Sequence, residues 1–133
     1  MTDPLNSLVA AHPELFAGEL PRIPSHLPVG WFALVDRLCS DIEALLRNRA
    51  ERFVVVQVKE KFGGLRFYYD WDDAGDAAVD LETPLLRERV RALVDETRRR
   101  TTLICQRCGA PAVLKSHGGW TAALCHQHAS QRS

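Results

Sequence analysis

Residues 105–109 read Cys-Gln-Arg-Cys-Gly, and residues 125–128 read Cys-His-Gln-His. In each stretch two residues separate a cysteine from a second ligand, so one short turn presents both members of a pair. The pairs lie 16 residues apart, a spacing typical of four-ligand zinc sites. A glycine after the first pair suits the positive φ of a zinc knuckle. The sequence therefore predicts one tetrahedral Zn²⁺ site with the ligands Cys105, Cys108, Cys125 and His128.

Two alternatives stay open at these positions. His126 or His117 can replace His128 as the fourth ligand, and the cysteines can instead form redox-active or disulfide-bonded pairs. We favour metal because thiols at this spacing, in a chain without an export signal, typically bind zinc. Four protein ligands leave no open position for water. The zinc is therefore expected to hold about 25 to 30 residues together rather than to hydrolyse a substrate.

The residues around the ligands predict their local structure. Residues 120–124 are expected to form a strand that leads into Cys125, where a short helix begins. A knuckle followed by a strand and a helix has the outline of a treble clef, which describes a fold and assigns no function. We expect an α+β core domain at residues 1–104, with a Pro-rich N-terminal segment, and a zinc-binding module at residues 105–133 packed on it.

The composition is that of a globular protein. Of the 133 residues 46% are hydrophobic, and no apolar run approaches the roughly 18 residues of a membrane span. The N-terminus lacks the features of a signal peptide and three of the four cysteines are assigned to metal, so the chain is expected in the cytoplasm. Residues 1–82 carry 8 basic and 14 acidic side chains, whereas residues 83–133 carry 9 and 3. Such asymmetry can orient a partner or favour self-association.

Residues 53–71 predict a β-hairpin, because alternating strands flank Gly63-Gly64. With these glycines as the turn, the pairs on the apolar side are Phe62–Leu65, Glu60–Phe67, Val58–Tyr69 and Val56–Trp71. The pairs on the other side are Lys61–Arg66, Lys59–Tyr68 and Gln57–Asp70. On that side the three cations and Tyr68 form either a small surface for phosphates and bases or a solvated strand face.

Two acidic features need an interpretation. Glu60 is the only charge on the apolar side of the hairpin, so we expect it to pair with an arginine at the sheet edge, and a functional acid is the alternative. Residues 70–82 are rich in aspartate and invite comparison with a calcium loop. Aligned from Asp70, however, Ala74 and Leu81 fall at the ligand positions 5 and 12. A solvated acidic loop is the prediction.

Three helices are predicted in the rest of the chain. The first covers residues 5–11, and the second follows apolar residues at helical spacing over 31–46, with Cys39 as a buried thiol on its apolar stripe. The third begins with Thr83 as N-cap and a proline at the first position, and ends near residue 100. Arg98, Arg99 and Arg100 complement its carbonyl end or, alternatively, extend a phosphate-binding surface. The predicted fold is α+β: a β-hairpin or small antiparallel sheet against two helices, with a treble-clef-like zinc motif.

A longer motif combines these features. Residues 58–69 read Val-Lys-Glu-Lys-Phe-Gly-Gly-Leu-Arg-Phe-Tyr-Tyr, residues 30–32 read Gly-Trp-Phe, and the C-terminus carries C-x-x-C-G and G-W…L-C-x-x-H. The combination resembles a family of small, largely uncharacterised bacterial and prophage-associated proteins over about residues 12–129. The resemblance implies the architecture and no activity.

The sequence lacks the signatures of common enzymes. It contains no zinc-deaminase pattern, nucleophile elbow, P-loop or dinucleotide fingerprint, and no small-molecule substrate is evident. The leading hypothesis is a non-enzymatic, zinc-stabilised protein-binding module, an accessory, inhibitor or immunity-like factor whose acidic half meets a basic partner. The alternative is nucleic-acid binding through a basic surface made of Lys59, Lys61, Arg66, Tyr68, Arg98, Arg99 and Arg100.

Overall fold

The computed structural model describes residues 3–72 and 80–130. Within them the chain forms four α-helices, a 3-10 turn at residues 29–31 and two separate two-stranded antiparallel sheets. The elements are α1 (Pro4–Ala11), α2 (Phe32–Leu46), β1 (Arg52–Lys61), β2 (Gly64–Asp72), α3 (Thr83–Thr101), β3 (Leu114–Ser116), β4 (Thr121–Ala123) and α4 (His126–Ser130). This is the predicted α+β class. Residues 73–79, which hold much of the expected acidic loop, lie outside the described residues.

The main core lies between the β1–β2 hairpin and the helices α2 and α3. One side of each element supplies the buried side chains, which include Val35, Leu38, Ile42, Val55, Val58, Leu65, Phe67, Val90 and Val94. Trp31, directly before α2, is completely buried. Cys39 is also completely buried, as predicted, and desolvation together with the nearby Glu43 and Asp36 raises its thiol pKa. The predicted packing of a hairpin against two helices is therefore observed.

The turn of the hairpin is Phe62-Gly63 and not Gly63-Gly64, so the predicted register is wrong. Lys61 faces Gly64, Lys59 faces Arg66, and Val58 faces Phe67. Relative to the prediction, each partner has moved by two residues. Because side chains alternate with a period of two, this shift leaves the strand residues near the turn on their predicted faces.

Backbone geometry explains the position of the turn. A tight two-residue turn of type I′ needs positive φ at both central residues, and Phe62 and Gly63 have φ of 54° and 83°. The Glu60 carboxylate accepts a hydrogen bond of 2.6 Å from the Gly63 N–H. Glu60 thus binds the backbone of the turn, whereas the sequence predicted that it pairs with an arginine. Farther from the turn a bulge between Val55 and Gln57 shifts the pairing, so that Phe53 and not Val56 faces Trp71.

The start of α3 differs from the prediction, because Thr83 is not the N-cap residue. Glu82 occupies the N-cap position without a side-chain capping bond, and Thr83 is the first helical residue. The Thr83 hydroxyl donates instead to the buried Glu51 carboxylate at 2.7 Å. A buried carboxylate needs donors more than an exposed helix end does, because water cannot replace them.

Among the described helices none combines the length and apolarity that a membrane span requires.

Arg49 holds this same buried carboxylate. Its guanidinium donates to the two Glu51 oxygens at 3.0 and 2.5 Å, and also reaches Asp80 at 2.9 Å and Glu82 at 3.3 Å. The hydrogen bonds from Arg49 lower the pKa of Glu51 despite its burial. This ion-pair network joins the segment between α2 and β1 to the start of α3.

A second buried polar group fastens the N-terminal segment. His12 is only 4% exposed. Its ring bridges two carboxylates of α2, Asp36 through Nε2 and Glu43 through Nδ1, both at 2.7 Å. The partners are 24 and 31 residues away in sequence, so no local pattern announces them.

Candidate metal centre and hairpin surface

Four side chains meet where the two predicted ligand pairs come together. The Sγ atoms of Cys105, Cys108 and Cys125 and a ring nitrogen of His128 all lie within 4.8 Å of one another. His128 Nδ1 is 3.4 Å from Cys105 Sγ and 3.2 Å from Cys125 Sγ, and the Cys108 and Cys125 sulfurs are 3.7 Å apart. These four residues can hold one metal ion.

The structure bears on the alternatives left open by the sequence. The fourth member of the cluster in the described residues is His128, while His126 and His117 are not part of it. The four cysteines are free thiols, and the 3.7 Å between the Cys108 and Cys125 sulfurs is well beyond the roughly 2.05 Å of a disulfide. The arrangement is one that can hold a metal ion.

Local backbone structure presents each pair of ligands. A tight turn closes the first pair through hydrogen bonds from Gly109 N to Cys105 O at 2.8 Å and from Cys105 N to Ala110 O at 2.7 Å. Gly109 has φ of 81°, as expected for the residue after a knuckle. The second pair follows β4, with Cys125 directly before α4 and His128 within it. The predicted strand and helix are thus present.

The surroundings of the cluster lower the thiol pKa of Cys105 and raise that of Cys108. Burial opposes ionisation of Cys105, but N–H groups of Cys125, Arg107 and Cys108 and the His128 ring outweigh it and lower the thiol pKa to about 6. At Cys108 an N–H of Ala110 lowers the pKa, but desolvation and the neighbouring thiols raise it above its usual 9.0. Cysteine binds metal as the thiolate. A bound cation would offset the repulsion between the neighbouring thiolates.

The knuckle is seated on the main core through Gly30. Gly30 N donates to Gln106 O at 2.7 Å, and a Cβ placed on Gly30 would come within 2.1 Å of Cys105 O. On the other side, a Cβ placed on Gly109 would lie 3.0 Å from Gly30 O. Sequence reasoning singled out Gly30 only as part of a motif. Its role depends on a close backbone approach across 75 residues of chain, which no local pattern reveals.

The hairpin tip contacts the metal-binding segment as well. A Cβ on Gly63 would lie 2.4 Å from Leu114 Cδ2, 3.2 Å from Thr121 O and 3.3 Å from Ala122 Cα. These three residues belong to β3 and β4, between the two ligand pairs. The segment that carries the metal ligands therefore supports the tip of the hairpin.

The predicted basic residues of the hairpin share one outer face. Lys59 lies directly opposite Arg66, and Tyr68, 48% exposed, lies opposite Gln57. Phe62, predicted to face Leu65 on the apolar side, is instead 73% exposed at the tip. Its side chain is free of the core because a turn residue with positive φ belongs to neither strand. Sequence reasoning missed this residue since two adjacent glycines suggested a turn one position later.

The three arginines at the end of α3 differ in their surroundings. All lie in its last turn, where they complement the helix dipole as predicted. Arg99 and Arg100 both bind Glu96, with nitrogen–oxygen distances of 2.6 and 3.1 Å. Two of the three charges are therefore already compensated within the helix.

The chain matches no protein-family model, no curated protein and no solved structure. The resemblance to small bacterial and prophage-associated proteins accordingly stays a prediction, and the geometry of the chain itself must carry any functional argument.

Proposed function

We propose that this chain is a non-enzymatic, zinc-stabilised protein-binding module of the accessory, inhibitor or immunity-like kind, working in the cytoplasm. The observation that carries the proposal is Phe62, which is 73% exposed and has φ of 54°. A bulky residue in such a backbone costs about 1–3 kcal/mol, and its exposed ring forgoes burial. Contact with a partner would compensate both penalties, because large aromatic side chains serve as anchors of protein interfaces.

The metal-binding part of the proposal rests on the donor set and its spacing. Three thiolates and an imidazole are typical zinc ligands, and ideal zinc–ligand bonds of about 2.0–2.3 Å place tetrahedral ligands about 3.3–3.8 Å apart. The Cys108–Cys125 distance of 3.7 Å and the Cys105–His128 distance of 3.4 Å fit this spacing. With four protein ligands the site is closed, so the zinc is structural. A knuckle, the β3–β4 hairpin and α4 then form a treble-clef-like motif.

The buried ionisable groups support a non-enzymatic role. In residues 3–72 and 80–130, outside the metal cluster, they are His12, Cys39 and Glu51. His12 and Glu51 are held by side chains that join elements of the fold, and Cys39 is enclosed in the apolar core. Each of the three therefore has a structural task.

Affinity capture from the native lysate tests the proposal. The tagged chain is compared with its Phe62→Asn variant, each with and without nuclease treatment. We expect one protein to co-purify in stoichiometric amount with the unaltered chain, to survive nuclease and to be depleted with the variant. Loss of all specific material on nuclease treatment, or equal recovery with both chains, would contradict it.

Nucleic-acid binding is the second candidate, favoured by the outer face of the hairpin. There Tyr68 is half-exposed beside Arg66, and aromatic rings between cations are the usual platform for single-stranded nucleic acids. Phosphate contacts make affinity fall steeply with salt. Oligothymidylate binding that weakens with salt and disappears in Arg66→Glu would favour this candidate, whereas no binding at about 0.15 M salt would remove it.

A further inference from the structure

The tip and outer face of the hairpin combine exposed apolar groups with cations. We define the tip surface as Lys59, Lys61, Phe62, Arg66 and Leu114. Leu114 packs against Gly63, the residue that follows Phe62, and is still 41% exposed. The Lys61 ammonium lies 5.5 Å from the centre of the Phe62 ring. The surface is thus continuous from the strands to β3.

The positive charge of this surface is not compensated within the described residues. Lys59 and Arg66 are directly opposed across the strands, an arrangement that destabilises a hairpin. In residues 3–72 and 80–130 no acidic side chain forms an ion pair with Lys59, Lys61 or Arg66. The acidic half is different, since histidine or arginine side chains bind many of its carboxylates: Asp36, Asp41, Glu43, Glu51, Asp80 and Glu82.

This distribution of ion pairs favours a partner whose charge is opposite to the one predicted from the sequence. From the sequence, the acidic half is the side that meets a basic partner. In the structure these six carboxylates are engaged within the fold, while the cations of the hairpin point outward. Complementarity therefore favours an acidic ligand at the tip surface.

The apolar part of the surface distinguishes between acidic ligands. Bases stack on aromatic rings, and Phe62 alone would suit them. Leu114 offers an exposed aliphatic surface against Gly63, the residue after Phe62, and such a surface packs better against an aliphatic or aromatic side chain of a peptide. The combination fits a protein segment in which a large apolar residue is flanked by aspartate or glutamate.

We propose that the tip surface is the binding site for a short acidic protein segment, with one large apolar side chain seated between Phe62 and Leu114 and carboxylates on Lys59, Lys61 and Arg66. This inference rests on the proposed protein-binding function and names the partner's chemistry. Leu114 lies on β3, between the two ligand pairs, so the site is complete only in the metal-loaded chain.

Selection from a display library of random linear peptides tests the inference with the zinc-loaded full chain. We expect enriched peptides that combine acidic residues with a leucine, phenylalanine or tryptophan. Arg66→Glu should weaken a synthetic copy of an enriched peptide about 10-fold or more. Arg89→Glu is the matched control, because this exposed arginine lies about 18 Å along α3 from Thr101, the residue that binds Leu65 N. The control should stay within about 2-fold.

A second variant separates binding from folding. Lys59→Glu replaces the like-charged pair with an attractive one, so it should raise Tm by about 1–3 °C and still weaken the peptide about 10-fold. A binding loss that accompanies a higher Tm cannot come from unfolding.

Several outcomes would overturn the inference. Enriched peptides without acidic residues, or acidic peptides that bind Arg66→Glu as well as the unaltered chain, would place the partner elsewhere and leave the protein-binding function standing. The same holds if no peptide is enriched while a lysate protein survives nuclease. Oligothymidylate that displaces the peptide at about 0.15 M salt would reassign the surface to nucleic acid, and absence of both peptide and lysate partner would end the proposed function too.

Discussion

The backbone of Gly63 lies against the side chain of Leu114, with no room for a Cβ between them. Through this contact the tip of the hairpin rests on the segment between the two metal-ligand pairs. The candidate metal centre and the hairpin tip are therefore physically connected, although the two positions are 51 residues apart in sequence. Four predictions follow the same physical reasoning.

Gly63→Ala should destabilise the protein by about 2–4 kcal/mol, because it adds overpacking to the strain of a positive φ. The matched control is Gly18→Ala. Gly18 has φ of 75°, close to the 83° of Gly63, but a Cβ there would meet nothing within 4 Å. The control should lose only about 1–2 kcal/mol. Denaturant unfolding measures both values, and equal losses would show that the contact with Leu114 is not tight.

Cys108→Ser should weaken zinc binding more than about 100-fold, since even changes beyond the direct ligands cost 10- to 100-fold. Its Tm should fall, and a chelator should lower it no further, because the metal contributes to folding. Cys39→Ala removes a buried thiol outside the cluster and should keep one zinc per chain. Elemental analysis and thermal unfolding measure these effects. Unchanged zinc content in Cys108→Ser would show the ligand assignment to be wrong.

Glu51→Gln should destabilise the protein at neutral pH by about 1–3 kcal/mol, because Arg49 and Thr83 lose a charged acceptor. In the folded chain the hydrogen bonds from Arg49 lower the Glu51 pKa below 4.5. The carboxylate therefore contributes fully above the unfolded pKa, and this contribution is lost as pH falls through the lower folded value. The difference in stability between the two proteins should be constant above about pH 5 and narrow below pH 4.5. A difference that instead grows with acid would contradict the sign of the shift.

Phe62→Asn should stabilise the protein by about 0.5–1 kcal/mol, because asparagine tolerates positive φ and Asn-Gly is a preferred type I′ turn. The same change removes the exposed ring and should abolish partner capture. Leu81→Asn is a control of similar exposure, since Leu81 is 99% exposed outside the tip surface. It should leave stability within about 0.5 kcal/mol and capture unchanged. A destabilised Phe62→Asn would mean that the ring packs on the protein itself.

Short-range patterns were sufficient to predict much of this fold. Helical spacing placed α2 within one residue of its observed start, and alternation gave the correct hairpin faces even though the turn was misplaced by one residue. The four residues of the Cys/His cluster were also identifiable, because two short pairs must converge if they are to share one ion. Each of these inferences depends on residues that are neighbours in sequence or on one repeated spacing.

By itself the sequence determined the α+β class, the four residues of the Cys/His cluster and the side of the hairpin that faces the core, because periodicity and ligand spacing are local properties of the chain. Only the tertiary structure decided which charges remain uncompensated. The pairing of His12 with Asp36 and Glu43, and of Glu51 with Arg49 and Thr83, uses carboxylates that look free in the sequence. Ion pairs of this kind form across space, so six carboxylates of the acidic half are engaged within the fold, whereas Lys59, Lys61 and Arg66 form no ion pair with an acidic side chain in the described part of the chain.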